Sequence, residues 1–333
     1  MNVNVTVIDT LVEAFGLTQQ WLFETLVQPV VFGLGGASIL VDAYNATGWL
    51  LVGLLQLIVI VGVFGSLQRW RPIQAVTDRA AVRTDVVYTL VHQLGLFRLV
   101  LFFAVDPLWE TLWGWLAVQG VTGWQLDTLI APLWPGMTDT ALASFLAYLV
   151  VFDLVNYLIH RGQHQFGWWW ALHAVHHSQR QMTMWTDNRN HLLDSLIVDV
   201  LIVQIGHAIG VAPGQFVAVV ALSQLVESLS HANVRLRFGW LGERLLVSPH
   251  FHRIHHSLGL GHESRGKGTL GGHNFSVLLP VWDMLFGTAR FEGRPGDTAT
   301  GIRDQLPEEG GRDYGRGFWA QQRLGVLRLL GRA

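Results

Sequence analysis

Long apolar runs separated by short polar segments dominate this chain, and they predict helices that cross a membrane. Residues 47–66 are almost purely apolar, and about 20 such residues suffice to span the hydrocarbon core of a bilayer. Residues 86–105 and 141–159 form two further candidate spans. The former contains His92 and Arg98, which are costly in lipid and are therefore expected to face the protein interior. The chain is predicted to be an all-α, multi-pass integral membrane protein.

Three other apolar segments are interrupted or amphipathic. Residues 192–229 are broken by Gly210 and Pro213, which predicts a helical hairpin whose arms of about 15 residues are short for two full spans. Residues 21–41 carry a proline and several glycines and are compatible with a span, a re-entrant segment or an interfacial helix. Residues 321–330 predict either a helix on the membrane surface or a packed terminal helix.

The placement of basic residues indicates how these helices are oriented. The segment 68–85 holds four arginines, whereas the segment 106–140 has no lysine or arginine. Because cytoplasmic loops carry an excess of basic residues, the first segment is predicted to be cytoplasmic and the second external. The apolar run that follows then returns to the cytoplasm near His160.

Composition narrows the classes of function. Charged residues make up 14% of the chain, well below the roughly 25% of soluble domains. The net charge of -2 provides no basic footprint for nucleic acid. The chain has no cysteine, which excludes disulfides, thiolate zinc sites and iron–sulfur clusters. Histidine is abundant, with 15 residues, most of them between His160 and His256.

Four motifs carry the predicted chemistry. They are His160-Arg-Gly-Gln-His164, His173-Ala-Val-His176-His177, Glu227-Ser-Leu-Ser-His231 and His252-Arg-Ile-His255-His256. Positions three or four apart lie on one face of a helix, so His160 and His164 are expected to share a face. In each HxxHH run the first histidine shares a face with both later ones, so each run can offer three imidazoles to one or two ions. The tryptophans between the first two motifs indicate either an anchor at the membrane interface, which is favoured, or the place where a lipid enters; they are Trp168, Trp169 and Trp170.

The number of motif histidines predicts two metal ions. One zinc ion uses three or four protein ligands, whereas these motifs supply eight histidines before His231 is counted. Imidazole suits iron, copper, nickel or zinc rather than magnesium or calcium. Four residues stay open as further ligands or as partners that orient ligands, namely His191, Glu227, His250 and His273. The isolated histidines are predicted to be structural; they are His92, His207 and His262.

In these residues the chain resembles the fatty acid hydroxylase/sterol desaturase superfamily of membrane oxygenases. Five elements match in order, over about residues 141–288. They are Asp153-Leu-Val-Asn-Tyr157-Leu-Ile-His160-Arg-Gly-Gln-His164, His173-Ala-Val-His176-His177-Ser178, His231-Ala-Asn233-Val, Ser248-Pro249-His-Phe-His252-Arg253-Ile-His255-His256-Ser257, and Asn274-Phe followed by Leu279-Pro280-Val-Trp282-Asp283-Met-Leu-Phe286-Gly287-Thr288. One departure is clear: many sterol-directed members carry His-Pro-x-Glu between the second and third boxes, whereas this chain has His191-Leu-Leu-Asp194.

The resemblance implies an enzyme that hydroxylates or desaturates an unactivated C–H bond of a fatty acyl, sterol-like, isoprenoid or ether lipid. It implies molecular oxygen as co-substrate and electrons from a separate ferredoxin- or cytochrome-type donor. It also implies two iron ions, bound by His160, His164, His173, His176, His177, His231, His252, His255 and His256. Three residues are predicted to support catalysis by hydrogen bonds that hold ligands: Asp153, Tyr157 and Asn274.

The predicted architecture is a transmembrane helical bundle with a cytoplasmic, histidine-rich di-metal cap. Its parts are an N-terminal apolar or interfacial segment (1–46), transmembrane helices with an external loop (47–140), a fatty acid hydroxylase-like catalytic domain (141–290) and a cytoplasmic C-terminal tail (291–333). A zinc-dependent membrane hydrolase is the alternative function. Against it, the chain contains neither His-Glu-x-x-His nor Gly-x-Ser-x-Gly.

Overall fold

A computed structural model describes residues 7–136, 140–258, 271–293 and 299–333 of the chain. Within these ranges the protein forms sixteen α-helices and no β-strand, so the predicted all-α class is confirmed. In the same part of the chain, one antiparallel bridge joins Ser257 to Thr300. His262 lies outside the described residues.

The first half of the chain forms eight helices. Two of the junctions between them are π-helical turns, at Phe23–Val27 and Ile60–Phe64, which keep the helices continuous. The eight helices are α1 (Val7–Leu22), α2 (Gln28–Gly33), α3 (Leu40–Val59), α4 (Gly65–Trp70), α5 (Arg79–Gln93), α6 (Leu96–Ala104), α7 (Asp106–Val118) and α8 (Leu126–Ile130).

The second half contains the histidine motifs. Its helices are α9 (Ala141–Gln165), α10 (Gly167–His177), α11 (Leu192–Ile209), α12 (Pro213–Ser230), α13 (Gly239–Leu245), α14 (Pro249–His255), α15 (Val281–Leu285) and α16 (Phe318–Leu329). Among the described residues, three helical stretches are long and apolar enough to cross a membrane, namely Ala37–Trp70, Ala141–Gln165 and Leu192–Ile209. The helices predicted at 47–66 and 141–159 are confirmed, and each is part of a longer helical stretch that is apolar enough to cross a membrane. The four-part division of the chain stays a prediction.

The single span predicted at residues 86–105 is wrong. Gly95, with a φ of 72° in the left-handed region, divides this segment between α5 and α6. α5 also buries polar side chains instead of presenting an apolar surface; they are Asp85, Thr89 and Gln93. The Thr89 hydroxyl donates to the carbonyl oxygen of Trp185. α5 therefore packs against the segment that precedes α11.

The helical hairpin predicted at residues 192–229 is confirmed. α11 ends at Gly210, which has a φ of 70°. α12 begins at Pro213, where the absent N–H would have had no partner within the helix. Each arm has 18 residues, which is longer than the sequence predicts, and α11 reaches the length of a span.

The C-terminal helix α16 packs on the protein. It lies against α10 and α5, and the side chains on its buried face are Gln321, Gln322 and Arg328. The Gln322 side chain accepts a hydrogen bond from the backbone N–H of Leu192 and donates to the Tyr88 hydroxyl. The predicted alternative of a packed terminal helix is therefore confirmed.

A core between α9 and the hairpin brings the ends of these helices together. It contains Tyr148 and Phe152 of α9, Ile209 of α11, Val219 of α12, and Leu278 from the segment before α15. Burying each side chain of this size contributes roughly 2 kcal/mol. This packing places the last turns of α9 and α12 beside one another.

Candidate metal centre

The histidine motifs meet where several helices end. His160 and His164 lie on the last turns of α9, and His231 follows the last residue of α12. α10 and α14, with the residue that caps α14, supply the others: His173, His176, His177, His252, His255 and His256. All nine side chains are buried. The sequence therefore predicts correctly which histidines converge.

Capping holds the short helix α14 in place. The Ser248 hydroxyl accepts a hydrogen bond from the Phe251 N–H and donates to the Glu243 carboxylate at 2.6 Å. Pro249 occupies the first turn, where proline is favoured. A helix of seven residues has little stability by itself. These capping contacts therefore stabilise α14 and hold the histidines that it carries in place.

Eight of the nine predicted ligands form two compact groups. In each group, one nitrogen per residue lies within 4.8 Å of the other three. The first group is His160, His164, His177 and His255, and the second is His176, His231, His252 and His256. The groups adjoin, because the rings of His177 and His256 stack with their centroids 4.2 Å apart. The geometry fits two neighbouring metal ions.

The two HxxHH motifs each serve both groups. His176 and His177 are consecutive and belong to different groups, and the same is true of His255 and His256. Consecutive residues on a helix point about 100° apart, so a double histidine can reach two sites. The sequence leaves open whether each of these runs serves one ion or two, and the structure divides the histidines of each run between both groups.

Nitrogen atoms converge closely in the second group. The Nε2 atom of His231 lies 3.1 Å from that of His176 and 2.9 Å from that of His252. The Nε2 atoms of His252 and His256 are 3.1 Å apart. Within the described chain, the Nδ1 atoms of His176, His252 and His256 are buried without a hydrogen-bond partner. The converging Nε2 atoms, and not these Nδ1 atoms, are the ones whose lone pairs a bound cation would satisfy.

Burial keeps the second group neutral. It lowers the pKa of His176, His252 and His256 well below the usual imidazole range, and the neighbouring rings lower each pKa further. Burial also lowers the pKa of His231 to about 4, against the opposing effect of a backbone hydrogen bond. A neutral imidazole offers a lone pair to a metal, so this environment favours coordination.

Backbone carbonyl oxygens orient several rings. The Nδ1 atom of His160 lies 2.8 Å from the oxygen of Phe275. His255 makes the same contact with the oxygen of His273 at 2.7 Å, and His231 contacts the oxygen of Glu227 at 2.8 Å. A proton on Nδ1 that is donated to a carbonyl leaves the Nε2 lone pair for a metal.

His173 lies between the groups and belongs to neither of them. Its ring centroid is 5.0 Å from that of His164 and 5.2 Å from that of His176. Its Nδ1 atom is 3.1 Å from Oδ2 of the buried Asp194, and its Nε2 atom is buried without a hydrogen-bond partner in the described chain. His173 is thus held in a defined orientation beside both sites, and its role as a ligand stays a prediction.

Asp194 is the orienting residue that the sequence does not single out. Its Oδ1 atom accepts hydrogen bonds from Gln163 at 2.9 Å and from the Trp169 indole at 2.7 Å. The sequence did contain a signal for this role. Asp194 stands three residues after His191, which is the position of the glutamate in the His-Pro-x-Glu motif. Trp169 is buried, so its predicted role as an interfacial anchor is wrong, whereas Trp168 is half exposed.

Replacing Asp194 with asparagine is expected to weaken metal retention by about 10–100-fold. The amide cannot accept from all three donors, so the orientation of His173 is lost. The measurement is metal content after graded dialysis against a chelator. Trp169→Phe, which removes one of the three hydrogen bonds, serves as the comparison and should lose less metal. Equal retention in D194N and the parent protein would show that Asp194 does not orient a ligand.

The residues left open by the sequence have separate contacts. His191 caps α11, because its Nδ1 atom accepts a hydrogen bond from the Leu193 N–H. Its Nε2 atom lies 2.8 Å from the backbone carbonyl oxygen of Gln322. Both of its nitrogens are therefore engaged by the protein. The Nε2 atom of His250 lies 2.8 Å from the Arg237 guanidinium. His273 and Glu227 contribute the carbonyl oxygens described above.

The three predicted catalytic residues fasten the segment that closes the centre. Asp153 accepts hydrogen bonds from the backbone of Leu278 and Leu279. The Tyr157 hydroxyl is 3.1 Å from that of Thr288, and Asn274 donates to a carbonyl oxygen of α14. This segment carries the carbonyl groups that orient His160 and His255. Whether Asp153, Tyr157 and Asn274 support catalysis stays a prediction.

A buried ion pair braces the loop between α10 and α11. The Arg189 guanidinium lies 2.7 Å from the Asp85 carboxylate, and both side chains are almost fully buried. Gln179 and Thr186 also donate to this carboxylate. Arg189 donates further to the carbonyl oxygen of Val175, within α10. α5 is thereby connected to the helix that carries three histidines.

A cavity of about 260 Å³ opens beside the histidines. One part of its wall is apolar and comes from α9, α11 and α12, with Phe152, Ile202 and Val219 among its residues. The other part includes His176, His231 and His252 of the second group and the partly buried Glu227. The cavity thus extends from apolar side chains of α9, α11 and α12 to the second histidine group.

Comparison with known proteins agrees with this geometry. Residues 145–288 match the family model for fatty acid hydroxylase. The chain is 30% identical over 189 residues to ornithine lipid hydroxylase OlsE of Rhizobium tropici, which covers 56% of this chain and 51% of the relative. It is 29% identical over 150 residues to an alkylglycerol monooxygenase of Danio rerio, which covers 45% of this chain and 31% of the relative.

The alkylglycerol monooxygenase of Caenorhabditis elegans is 26% identical over 140 residues, which covers 42% of this chain and 26% of the relative. The chain thus spans about half the length of the first relative and less of the other two. No solved structure matches the chain significantly. The family match contains every predicted histidine ligand, and residues 145–288 are accordingly a domain of the fatty acid hydroxylase family.

Proposed function

We propose that this protein is a membrane-bound di-iron oxidoreductase that uses molecular oxygen to hydroxylate an unactivated C–H bond of a lipid. The observation that carries the proposal is the pair of adjoining four-histidine groups, buried where apolar helices end. Imidazole suits iron as well as zinc and copper. The oxygenase names of the relatives favour iron.

The residues of the chain would have three tasks. The two histidine groups, with His173 beside them, would hold two iron ions, whose redox chemistry activates oxygen when they are bound. Carbonyl oxygens and Asp194 keep the rings in one orientation, which lowers the cost of reorganisation during reaction. The apolar wall of the cavity excludes water and positions the lipid chain. Asp153, Tyr157 and Asn274 support this arrangement by holding the closing segment.

The substrate is proposed to be a membrane lipid that reaches the centre through the cavity between α9 and the hairpin. Fatty acyl, sterol-like, isoprenoid and ether lipids all belong to the class. The names of the relatives make an ornithine lipid and an alkylglycerol ether lipid the first compounds to test. We further propose that the centre lies on the cytoplasmic side and receives electrons from a separate ferredoxin- or cytochrome-type donor.

Protein purified from iron-supplied cells is expected to contain about two iron ions per chain, one for each four-histidine group. With a reductant and a membrane lipid extract, it should consume oxygen. Mass spectrometry should find one ¹⁸O atom from ¹⁸O₂ in the lipid product, because hydroxylation inserts an oxygen atom from O₂. A preparation denatured by heat is the control for uncatalysed oxidation.

A zinc-dependent hydrolase would give the opposite result. It would contain stoichiometric zinc in native membranes and would release product without oxygen. Zinc found only after overexpression is not decisive, because nitrogen sites bind zinc more tightly than ferrous iron. Lipid cleavage under nitrogen, with no oxygen uptake on any lipid, would contradict the oxygenase proposal.

A further inference from the structure

A second cavity, separate from the histidine centre, lies where the first apolar span ends. It measures about 350 Å³ and is formed by α4, the loop before α5, the start of α5 and residues 183–185. Arg69 and Arg79 line it, and among the described residues of its wall none is acidic. Both arginines are exposed, and neither forms an ion pair or side-chain hydrogen bond with a described residue.

The floor of this cavity is ordered by hydrogen bonds. Gln68 Oε1 accepts from the backbone N–H groups of Met184 and Asn233. The Asn233 side chain donates to the carbonyl oxygen of Gln74 and accepts from its N–H. The side-chain Nε2 atom of Gln74 is buried in the wall and has no hydrogen-bond partner in the described chain. An acceptor group from a ligand would satisfy this donor.

The position of the cavity indicates the level of the membrane surface. Trp70 is the last residue of the span Ala37–Trp70 and is 75% exposed. Tryptophan favours the boundary between hydrocarbon and water. The rest of the cavity wall is largely apolar, with Pro72, Val76, Val82 and Met184. The cavity thus combines two cations and an amide donor with an apolar surface at the depth of lipid headgroups.

We propose that this cavity binds the phosphate group of an anionic membrane phospholipid. Arg69 and Arg79 would pair with the phosphate, because the guanidinium fork matches its oxygens. Gln74 would donate to the same headgroup, and the apolar wall would contact the glycerol and the first methylenes. The floor residue Asn233 is two positions after His231, so an occupied cavity would also steady the segment that follows that ligand.

Native mass spectrometry of the purified protein in neutral detergent tests this proposal, with phosphatidylglycerol as the probe. The double substitution R69Q/R79Q is expected to weaken lipid binding by about tenfold or more, since each basic residue near a membrane surface contributes about 1 kcal/mol. R71Q/R83Q removes the same charge from exposed arginines that do not line the cavity, and it should change binding by less than about threefold. Q74L, which leaves the charge unchanged, should weaken binding measurably.

Three results would overturn the proposal. Equal losses in R69Q/R79Q and R71Q/R83Q would indicate diffuse attraction to the basic loop. Binding of inorganic phosphate with the same dependence on Arg69 and Arg79, and no binding of phosphatidylglycerol, would indicate a site for a free anion. Equal affinity for phosphatidylcholine would show that the net charge of the headgroup is not recognised. None of these results depends on the oxygenase activity.

Discussion

Replacing His252 with alanine is expected to remove one of two bound metal ions and to abolish lipid oxidation. His252 is buried, and its Nε2 atom lies 2.9 Å from that of His231 and 3.1 Å from that of His256. Loss of a residue that merely orients a ligand lowers metal affinity or activity by about 10–100-fold. Loss of a ligand itself should therefore lower activity by at least about 100-fold. Metal content by mass spectrometry and oxygen-dependent lipid turnover are the two measurements.

His207→Ala is the matched control. His207 lies on α11, and its ring stacks on Trp113 of α7. It belongs to neither of the two four-histidine groups. This variant should keep both metal ions and most of its activity. If H252A retained two ions and full activity, the second group could not be a metal site.

Replacing Arg189 with methionine is expected to lower the free energy of unfolding by about 3–5 kcal/mol. The substitution leaves the Asp85 carboxylate buried without its cation. Burial already raises the pKa of Asp85, and Arg189 opposes that rise, so the pKa should climb further in the variant. Protonation removes the unpaired charge, and the loss of stability should therefore shrink as the pH falls. Thermal unfolding in detergent at several pH values is the measurement.

A second variant separates charge from packing. D85L/R189M replaces both ions with apolar side chains and should recover part of the lost stability, because no buried charge is left unpaired. If R189M and D85L/R189M were equally unstable at every pH, the effect would come from packing or from the lost hydrogen bonds. Metal retention should follow stability in both variants, because Arg189 also contacts α10.

The elements that the sequence predicts well are those set by local pattern. The apolar runs at 47–66 and 141–159 are long enough to determine helices by themselves. Gly210 and Pro213 end and restart the hairpin because of their backbone restrictions. The run at 86–105 misleads because apolar residues surround Gly95, and the buried partners of Asp85 and Thr89 come from about 100 residues away.

In the candidate metal centre, too, the sequence predicts some features and the packing of the helices decides the others. Spacing within the motifs predicts which histidines converge, because positions three and four apart share a helix face. It does not predict that His176 and His177 separate into different groups. Nor does it predict that Asp153 accepts from Leu278 and Leu279, or that Asn274 of the closing segment donates to Phe251 of α14. Those partners become neighbours only when the helices pack.

The amino-acid sequence by itself determined an all-helical protein with long apolar helices, a nitrogen-rich cluster of histidines and a resemblance to the fatty acid hydroxylase/sterol desaturase superfamily. These features depend on hydrophobicity, on helical spacing and on residue type, all of which are local. The tertiary structure decided the two groups of four, the orientation of His173 by Asp194 and the use of His191 as a cap. These features depend on distances of a few ångströms between residues far apart in the chain, which only the packing of α9, α10, α12 and α14 establishes.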